Sequence, residues 1–427
     1  MSPQVNENMR PTARGVRIDP ARLRARLDDL GEVSPIPGGG SCRLALTDED
    51  RAGRDVVRSW MVDLGLRVQV DAIGNIFGTW ECAPGTPVMT GSHIDTVRTG
   101  GRYDGNYGVL AGLEVIETLM TAGLTPSRPL SVAVFTNEEG ARFQPDMLGS
   151  LAYVGGVSIE AALDTLAIDG ARLGDELSRI GYNGSAPVPG PVPHAFIELH
   201  IEQGPLLEAE GVTIGAVDGV QGISWQEVTI TGQSNHAGTT PMHLRRDPAF
   251  VAGSIVVFLR ELAAEMGGNQ VCTVGKIDLS PNLVNVVPAV AKITLDVRNT
   301  DEELLLGAER RISEFLDDIA LREAVTIQSR RLARFEPVVF DPEVVDLVAT
   351  IAGDHGHSVK RMPSGAGHDA QMLARVCPSA MIFVPSHLGI SHNAAEHTDD
   401  VDLVAGANVL LDSMWELAQR EPSGVRP

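Results

Sequence analysis

The sequence predicts an α/β protein in which a mixed sheet is flanked by helices, with a ferredoxin-like βαββαβ unit inserted into it. Two observations lead there. Short apolar, β-rich runs alternate with helical stretches up to about residue 217 and again after Glu336, and such alternation makes a sheet with covered faces. Between those points the order becomes strand, helix, strand, strand, helix, strand, the split unit of ferredoxin-like folds. At 427 residues the chain is also too long for one ordinary compact domain. The reading divides it into a discontinuous domain, residues 1–218 and 335–427, and an inserted domain, residues 219–334.

Taken in order, Thr47 caps a first helix, with Asp50 as a loose capping-box partner. Val56, Val57, Trp60, Met61 and Leu64 supply its apolar spacing and Gly65 its end. Short strands follow at 67–71, 76–80 and 87–90. A helix at 108–122 carries Val109, Leu113, Ile116 and Met120 on one face. SVAVFT (131–136) fits a buried strand. Residues 184–193, rich in Pro and Gly, form a loop, and AFIELHI (195–201) is again a strand. The inserted unit runs through a strand at 226–232, a helix at 247–266, strands at 271–278 and 289–298, a helix at 301–321 and a strand at 325–329. Its stretch 250–259 is the longest apolar run and reads as a buried helix. A helix at 342–352, a strand at 379–386 and a helix at 401–421 complete the chain.

Composition excludes several classes of function. Lys and Arg total 34 against 56 Asp and Glu, a net charge of -22. That charge repels phosphate backbones and anionic membrane surfaces, so neither nucleic acid nor membrane is expected as a partner. Hydrophobic residues at 43% are enough for a sizeable core. The four cysteines include no CxxC pair, which indicates neither a zinc ribbon nor a disulfide framework. The opening MSPQVNENMRPTARG has no apolar signal stretch, and no window reaches the roughly 20 apolar residues of a membrane span. A cytoplasmic protein is expected.

HExxH, GxSxG and GxxxxGK[ST] are all absent from the sequence. What remains is a dispersed set of His and acidic residues beside glycines, at the ends of predicted strands. GSHIDT offers His93, with Asp95 placed to hold its second ring nitrogen, or else a turn with a satisfied His–Asp pair. GGRYDGNYG offers Asp104, either a helix cap or a carboxylate able to bridge two cations. FTNEEG places Glu138 and Glu139 side by side, and adjacent acids at a strand end call for a cation or a proton unless the turn is exposed. One can bind metal while the other serves as general base. ELHIEQG puts Glu198, His200 and Glu202 at two-residue spacing on one strand face, a stripe that needs partners unless the strand is a wet edge. SHLGISHNAAEHT holds His387, His392, Glu396 and His397, with two of the three imidazoles read as surface residues. PSGAGHDAQ places Gly365, Gly367, His368 and Asp369 before a helix, suited to a substrate carboxylate or a polar turn. His236, Asn285 and Arg298 lie in the inserted unit, where Arg298 can grip a carboxylate or make a surface salt bridge. His355 and His357 read as solvated loop. A donor set of His and carboxylate without thiolate suits zinc, manganese, cobalt or nickel.

In their order, GSHIDT, GGRYDG, NEEG, ELHIEQG, SNHAGTTP, SGAGHDA and SHNAAE resemble the amidase branch of the M20 metallopeptidase superfamily. That branch holds N-carbamoyl-L-amino-acid hydrolases, microbial-type β-ureidopropionases and allantoate amidohydrolases. The resemblance runs from about residue 47 to the C-terminus. ELHIEQG is its sharpest marker, because M20 peptidases usually carry a carboxylate where this chain has His200. It implies a metallopeptidase-like catalytic domain with two divalent ions per subunit, held by His93, Asp104, Glu139, His200 and His392, with Asp104 bridging. It implies Glu138 as general base. Gln203, Asn285 and Arg298 would hold the carboxylate end of a small ureido or amide substrate, with Gly367 among the substrate-binding positions. His236, often supplied in the family by the other subunit, would steady the tetrahedral intermediate. The inserted unit would be a lid through which a homodimer forms. The implied reaction cleaves the ureido C–N bond of N-carbamoyl-L-amino acids, giving amino acid, ammonia and carbon dioxide. Allantoate and β-ureidopropionate hydrolysis are the alternatives, ahead of an M20 dipeptidase or an inactive metal-binding protein. The Asn106–Tyr107 pair in the DGxxG turn is less usual for the family and is expected to shape the pocket.

Overall fold

Four strands in which every residue is buried set the first unit: Val88–His93, Leu130–Phe135, Ala195–Ile201 and Ser379–Val384. The computed structural model describes residues 15–420. It divides the chain into two units, one built from the residues up to Asp218 and from Val339 on, the other Gly219–Val338.

In the first unit the sheet runs Arg67–Val70, Ile76–Trp80, Leu130–Phe135, Val88–His93, Ala195–Ile201, Ser379–Val384 and Ile214–Val220, with Val359–Ser364 also paired to the last. The fully buried strands pair in parallel, Val88–His93 with both Leu130–Phe135 and Ala195–Ile201, and the latter with Ser379–Val384. The strands at Ile76–Trp80 and Ile214–Val220 pair antiparallel to them. Parallel pairing lines up four C-terminal strand ends along one edge, the edge where α/β sheets bind ligands. Helices Asn106–Thr121 and Asp400–Gln419 pack on each other and on these strands. Both are buried almost all round rather than on one face.

Several local expectations change. The Val88–His93 strand runs past residue 90, so His93 is its last residue instead of lying beyond it. Ala195–Ile201 is a central strand, not a wet edge, and Glu202 leaves the stripe: its carboxylate accepts the Leu206 and Leu207 N–H groups. Thr47 does cap Asp48–Asp63, but Asp50 does not return the bond; it takes the Leu46 N–H and the Arg54 guanidinium. The helix Pro20–Gly31 was not anticipated. Asp19 caps it, Leu23, Leu27 and Leu30 are buried, and Arg22 and Arg26 reach the buried Glu114. Helices Leu148–Tyr153, Ile159–Leu163 and Leu173–Ile180 and the strand Val359–Ser364 were likewise not read from the sequence. His355 is no solvated loop residue: its side chain is mostly buried and bonds Asp412 at 2.6 Å.

The second unit is a four-stranded antiparallel sheet in the order Thr326–Phe335, Gly222–Thr231, Val290–Asn299, Val271–Ser280. With helices Pro248–Met266 and Glu302–Glu323 this is the ferredoxin-like arrangement. Val228, Ile230, Ile255, Leu259, Ile293 and Ile312 lie in its core. Asp247 and Asp301 cap the two helices, as their short side chains at those positions allow. The apolar run in the first helix is buried on one side only: Phe250 and Val257 are each 55% exposed. No helix among the described residues is long and apolar enough to cross a membrane.

Candidate active site and metal centre

The aligned strand ends gather the chemistry. His93 ends one strand, and Glu138 and Glu139 follow the end of the next. Asn137 turns the chain there with φ at 57°, in the left-handed region, and its amide donates to the Phe143 and Pro145 carbonyls. The Asp95 carboxylate accepts the N–H groups of Glu138 and Glu139 at 3.3 and 3.4 Å. Asp95 therefore braces the acidic turn; what holds the His93 ring is the Asp95 backbone carbonyl, 2.8 Å from Nδ1.

Both buried imidazoles are set to offer a lone pair. His93 Nδ1–H donates to Asp95 C=O and His200 Nδ1–H to Ile201 C=O, each at 2.8 Å. With each Nδ1–H so committed, loss of the Nε2 proton frees the lone pair that binds metal; without metal, burial opposes the charge on His200 but its bond to Asp104 raises it to about 9. His200 Nε2 lies 3.2 Å and His93 Nε2 3.7 Å from Asp104 Oδ1. His392 Nε2 lies 3.4 Å from the other oxygen, Oδ2, and 3.3 Å from Glu139 Oε2. Two groups of donors result, His93–Asp104–His200 and Asp104–Glu139–His392, each able to hold a metal ion and sharing Asp104. A set of imidazole nitrogens and carboxylate oxygens without thiolate fits a divalent ion such as zinc or manganese. A third group, Glu198–His200–His368, is already engaged. Glu198 accepts from Ser92 and from the Ala370 N–H, and His368 bonds Ser364.

Charge in this cluster is strongly coupled. Burial opposes ionisation of Asp104, but the His200 imidazole bonded to it, with His93 and His392, lowers its pKa below the usual range. The hydrogen bond to Glu139 raises His392 to about 9. Glu138, buried with Oε2 3.4 Å from His93 Nε2, is held well above the usual glutamate range by burial and then by Asp369, Glu139 and Asp104. Protons balance these carboxylates here, and binding a divalent ion would release them.

Further side chains fix the loops. Buried Glu396 accepts the Tyr103 and Asp104 N–H groups at 3.0 and 3.2 Å and the Ser391 hydroxyl at 3.0 Å. Gln203, with φ at 57°, donates its amide to Asp104 Oδ2 at 2.8 Å and to Ser391 at 3.3 Å. A Cβ on Gly367 would lie 2.9 Å from the terminal methyl of Met147, so that flexible side chain would have to shift to admit one. The next residue's ring, His368, stands 4.6 Å from that of His200. Asn106 and Tyr107 do not line the site. Asn106 bonds the buried Arg43 guanidinium and the Arg102 carbonyl, and the Tyr107 hydroxyl donates to Leu403 C=O within the core.

Residues 89–416 match the sequence profile of peptidase family M20/M25/M40. The chain belongs to this family. An N-carbamoyl-L-amino-acid amidohydrolase of Rhizobium meliloti is 40% identical over 408 residues, covering 94% of this chain and 97% of that protein. An allantoate amidohydrolase of Escherichia coli is 36% identical over 393 residues, covering 91% and 96%. The crystal structure of a hydantoinase/carbamoylase-family amidase from Burkholderia multivorans aligns with a TM-score of 0.92 at 42% identity, over 95% of this chain and 99% of that one. The chain is accordingly an M20 hydrolase of the amidase kind.

Other residues singled out in this M20 chain lie apart from the cluster. His387 and His397 are exposed and pair with Glu208 and Asp399. In the second unit, the two-residue strand Asn235–His236 pairs with Val286–Val287, and the Ala237 N–H donates to Asn285 C=O, so His236 and Asn285 sit together on one two-stranded ribbon. The exposed His236 ring accepts the Gly238 and Thr239 N–H groups on Nδ1, leaving Nε2–H as an outward donor. Arg298 lies at the other end of the sheet, opposite Ile223 and bonded to Asp296. The sequence reading overlooked Ser391, whose hydroxyl bonds both Asp104 and Glu396. Its position beside His392 was the available signal.

Proposed function

We propose that this chain is a di-metal amidohydrolase that cleaves the ureido C–N bond of N-carbamoyl-L-amino acids to amino acid, ammonia and carbon dioxide. The observation that carries the proposal is the pair of donor groups sharing Asp104 through its two oxygens, with buried Glu138 beside them. His93, Asp104 and His200 would hold one ion, and Asp104, Glu139 and His392 the other. When bound, such ions lower the pKa of water toward neutrality and polarise a carbonyl. Zinc, manganese, cobalt and nickel all suit the donors.

Glu138 acts as general base. Ionised beside the donor groups, with Oε2 3.4 Å from His93 Nε2, it takes the proton of the attacking water and returns it to the leaving nitrogen. The outward Nε2–H of His236 donates to the oxyanion. Gln203, Asn285, Arg298 and the Gly367 backbone hold the carboxylate end of the substrate. Within one copy, eight residues of strand, about 27 Å at ~3.4 Å per residue, separate Val290 from Arg298, and the His236–Asn285 ribbon continues from the Val290 end. No small ureido acid spans that distance. We therefore assign His236 and Asn285 to the site of a second copy, in a homodimer formed through the Gly219–Val338 unit. The apolar side chains of Phe250 and Val257 on its exposed helix face support pairing there.

Allantoate and N-carbamoyl-β-alanine carry the same pairing of ureido group and carboxylate, and the Escherichia coli relative keeps allantoate as the second reading. The deciding experiment measures ammonia and amine release from N-carbamoyl-L-amino acids, N-carbamoyl-β-alanine, allantoate and dipeptides, with and without added manganese or zinc. Turnover confined to dipeptides would overturn the ureido assignment. Glu138→Gln is expected to keep its metal and lose about 10²–10⁴-fold in kcat; a near-parental rate would remove Glu138 from the role of base.

A further inference from the structure

Arg43 is 0% exposed and makes no ion pair among the described residues. Burial lowers its pKa only to about 10, so it stays charged at neutral pH. The charges of Asp50 and Asp95 act on it from a distance, but every group it hydrogen-bonds is a neutral acceptor. Nε donates to Ile94 C=O at 3.1 Å, and Nη1 to Leu30 C=O, Ser34 and Ser41 at 3.0, 3.3 and 2.7 Å. Nη2 donates to the Asn106 side-chain carbonyl at 2.8 Å. Burying a cation with no counter-charge in contact costs more than burying an apolar side chain of the same size. Stability alone therefore does not account for an arginine here.

Its partners do. Ile94 follows His93 directly, and Asn106 lies two residues past Asp104, to whose carbonyl its N–H donates at 2.7 Å. The Arg43 backbone holds the same strand exit: its N–H donates to the Thr96 hydroxyl at 2.7 Å and its C=O accepts the Thr96 N–H at 2.8 Å. The guanidinium thus spans the strand that presents His93 and the loop that presents Asp104, and Leu30 ties both to the end of the Pro20–Gly31 helix. We infer that Arg43 is a positioning residue for the metal centre, its planar fork fixing the distance between the His93 strand end and the Asp104 loop. This rests on the metal reading above. Lysine keeps the charge but brings one nitrogen and no fork, so charge and geometry are separable.

The test measures zinc affinity of the full-length protein, metal-stripped and titrated against a chromophoric chelator, for the parent, Arg43→Lys, Asn106→Ala and the double variant. Thermal melts of the stripped proteins run alongside, with Met61→Ala, a buried core residue of the Asp48–Asp63 helix, as a destabilised control. Loss of partners that orient ligands typically weakens binding about 10–100-fold. Each single variant should fall in that range, the double variant should lose no more than the worse single one, and Met61→Ala should bind as the parent does. Parental affinity in Asn106→Ala, additive losses in the double variant, or an equal loss in Met61→Ala overturns the role of Arg43. If Arg43→Lys does not fold, Asn106→Ala against Met61→Ala decides alone. A parent that binds no zinc, manganese or cobalt removes the metal reading itself.

Discussion

Gly105 has φ at 65°, and a Cβ built on it would lie 2.5–2.6 Å from three atoms of the His93 ring. Gly105→Ala therefore acts twice. The backbone is left in a conformation that alanine disfavours, which costs about 1 kcal/mol or more. The methyl also needs about 3.5–4.0 Å from a ring carbon, so the imidazole must withdraw by roughly 1 Å. The ring cannot do so freely, because it is buried and its Nδ1–H is committed to Asp95 C=O at 2.8 Å. Either that bond breaks or Nε2 moves off the Asp104 cluster. Zinc affinity by chelator competition should fall about 10–100-fold, as when a ligand loses its orienting partner, and the stripped protein should melt lower. Gly307→Ala is the matched control. It lies inside Glu302–Glu323, where a Cβ meets only the Arg310 guanidinium at 3.7 Å. It should gain about 0.5–1 kcal/mol and leave zinc binding unchanged. Parental zinc affinity in Gly105→Ala would show that His93 does not need the space glycine leaves.

Other outcomes follow from buried charge. Glu114 is 0% exposed and bonds Arg22, Arg26 and the Asp19 N–H, so Glu114→Gln should lower stability by about 3 kcal/mol, read as a lower urea midpoint. An unchanged midpoint would mean the Pro20–Gly31 helix does not depend on that carboxylate. Burial pushes Asp71 up from 3.8 to about 7 despite the N–H groups of Ile73 and Asn75 bonded to it. Between those values the folded chain keeps a proton that the unfolded chain has lost, so stability contributed by this group falls as pH rises from about 4 to about 7. Melts of the metal-free protein should show that slope reduced in Asp71→Asn; identical slopes would count against it.

Much of this was legible because its causes are local. A short β-rich run bounded by turn residues reads as a strand buried on both faces, and polar residues just past it lie at the sheet edge. That logic singles out His93, Glu138 and Glu139 without coordinates, whereas His200, inside a strand, stands out by its two-residue spacing from Glu198 and Glu202. The Pro20–Gly31 helix escaped because its arginines mask three leucines, and they are tolerated only because Glu114, about ninety residues on, is there to receive them.

The linear order of residues determined the alternation of strands and helices, the caps at Thr47, Asp247 and Asp301, and which side chains have ligand chemistry. These depend on neighbours within a few positions, where backbone geometry is set. Only the tertiary structure decided what each polar group bonds and where it lies: Asp95 to the acidic turn, Glu202 to a helix start, Asn106 to Arg43, and His236 on a short ribbon beyond the end of the sheet opposite to Arg298. A hydrogen bond reaches about 3 Å, and the partners are brought that close only by strand register and packing between segments far apart in the chain.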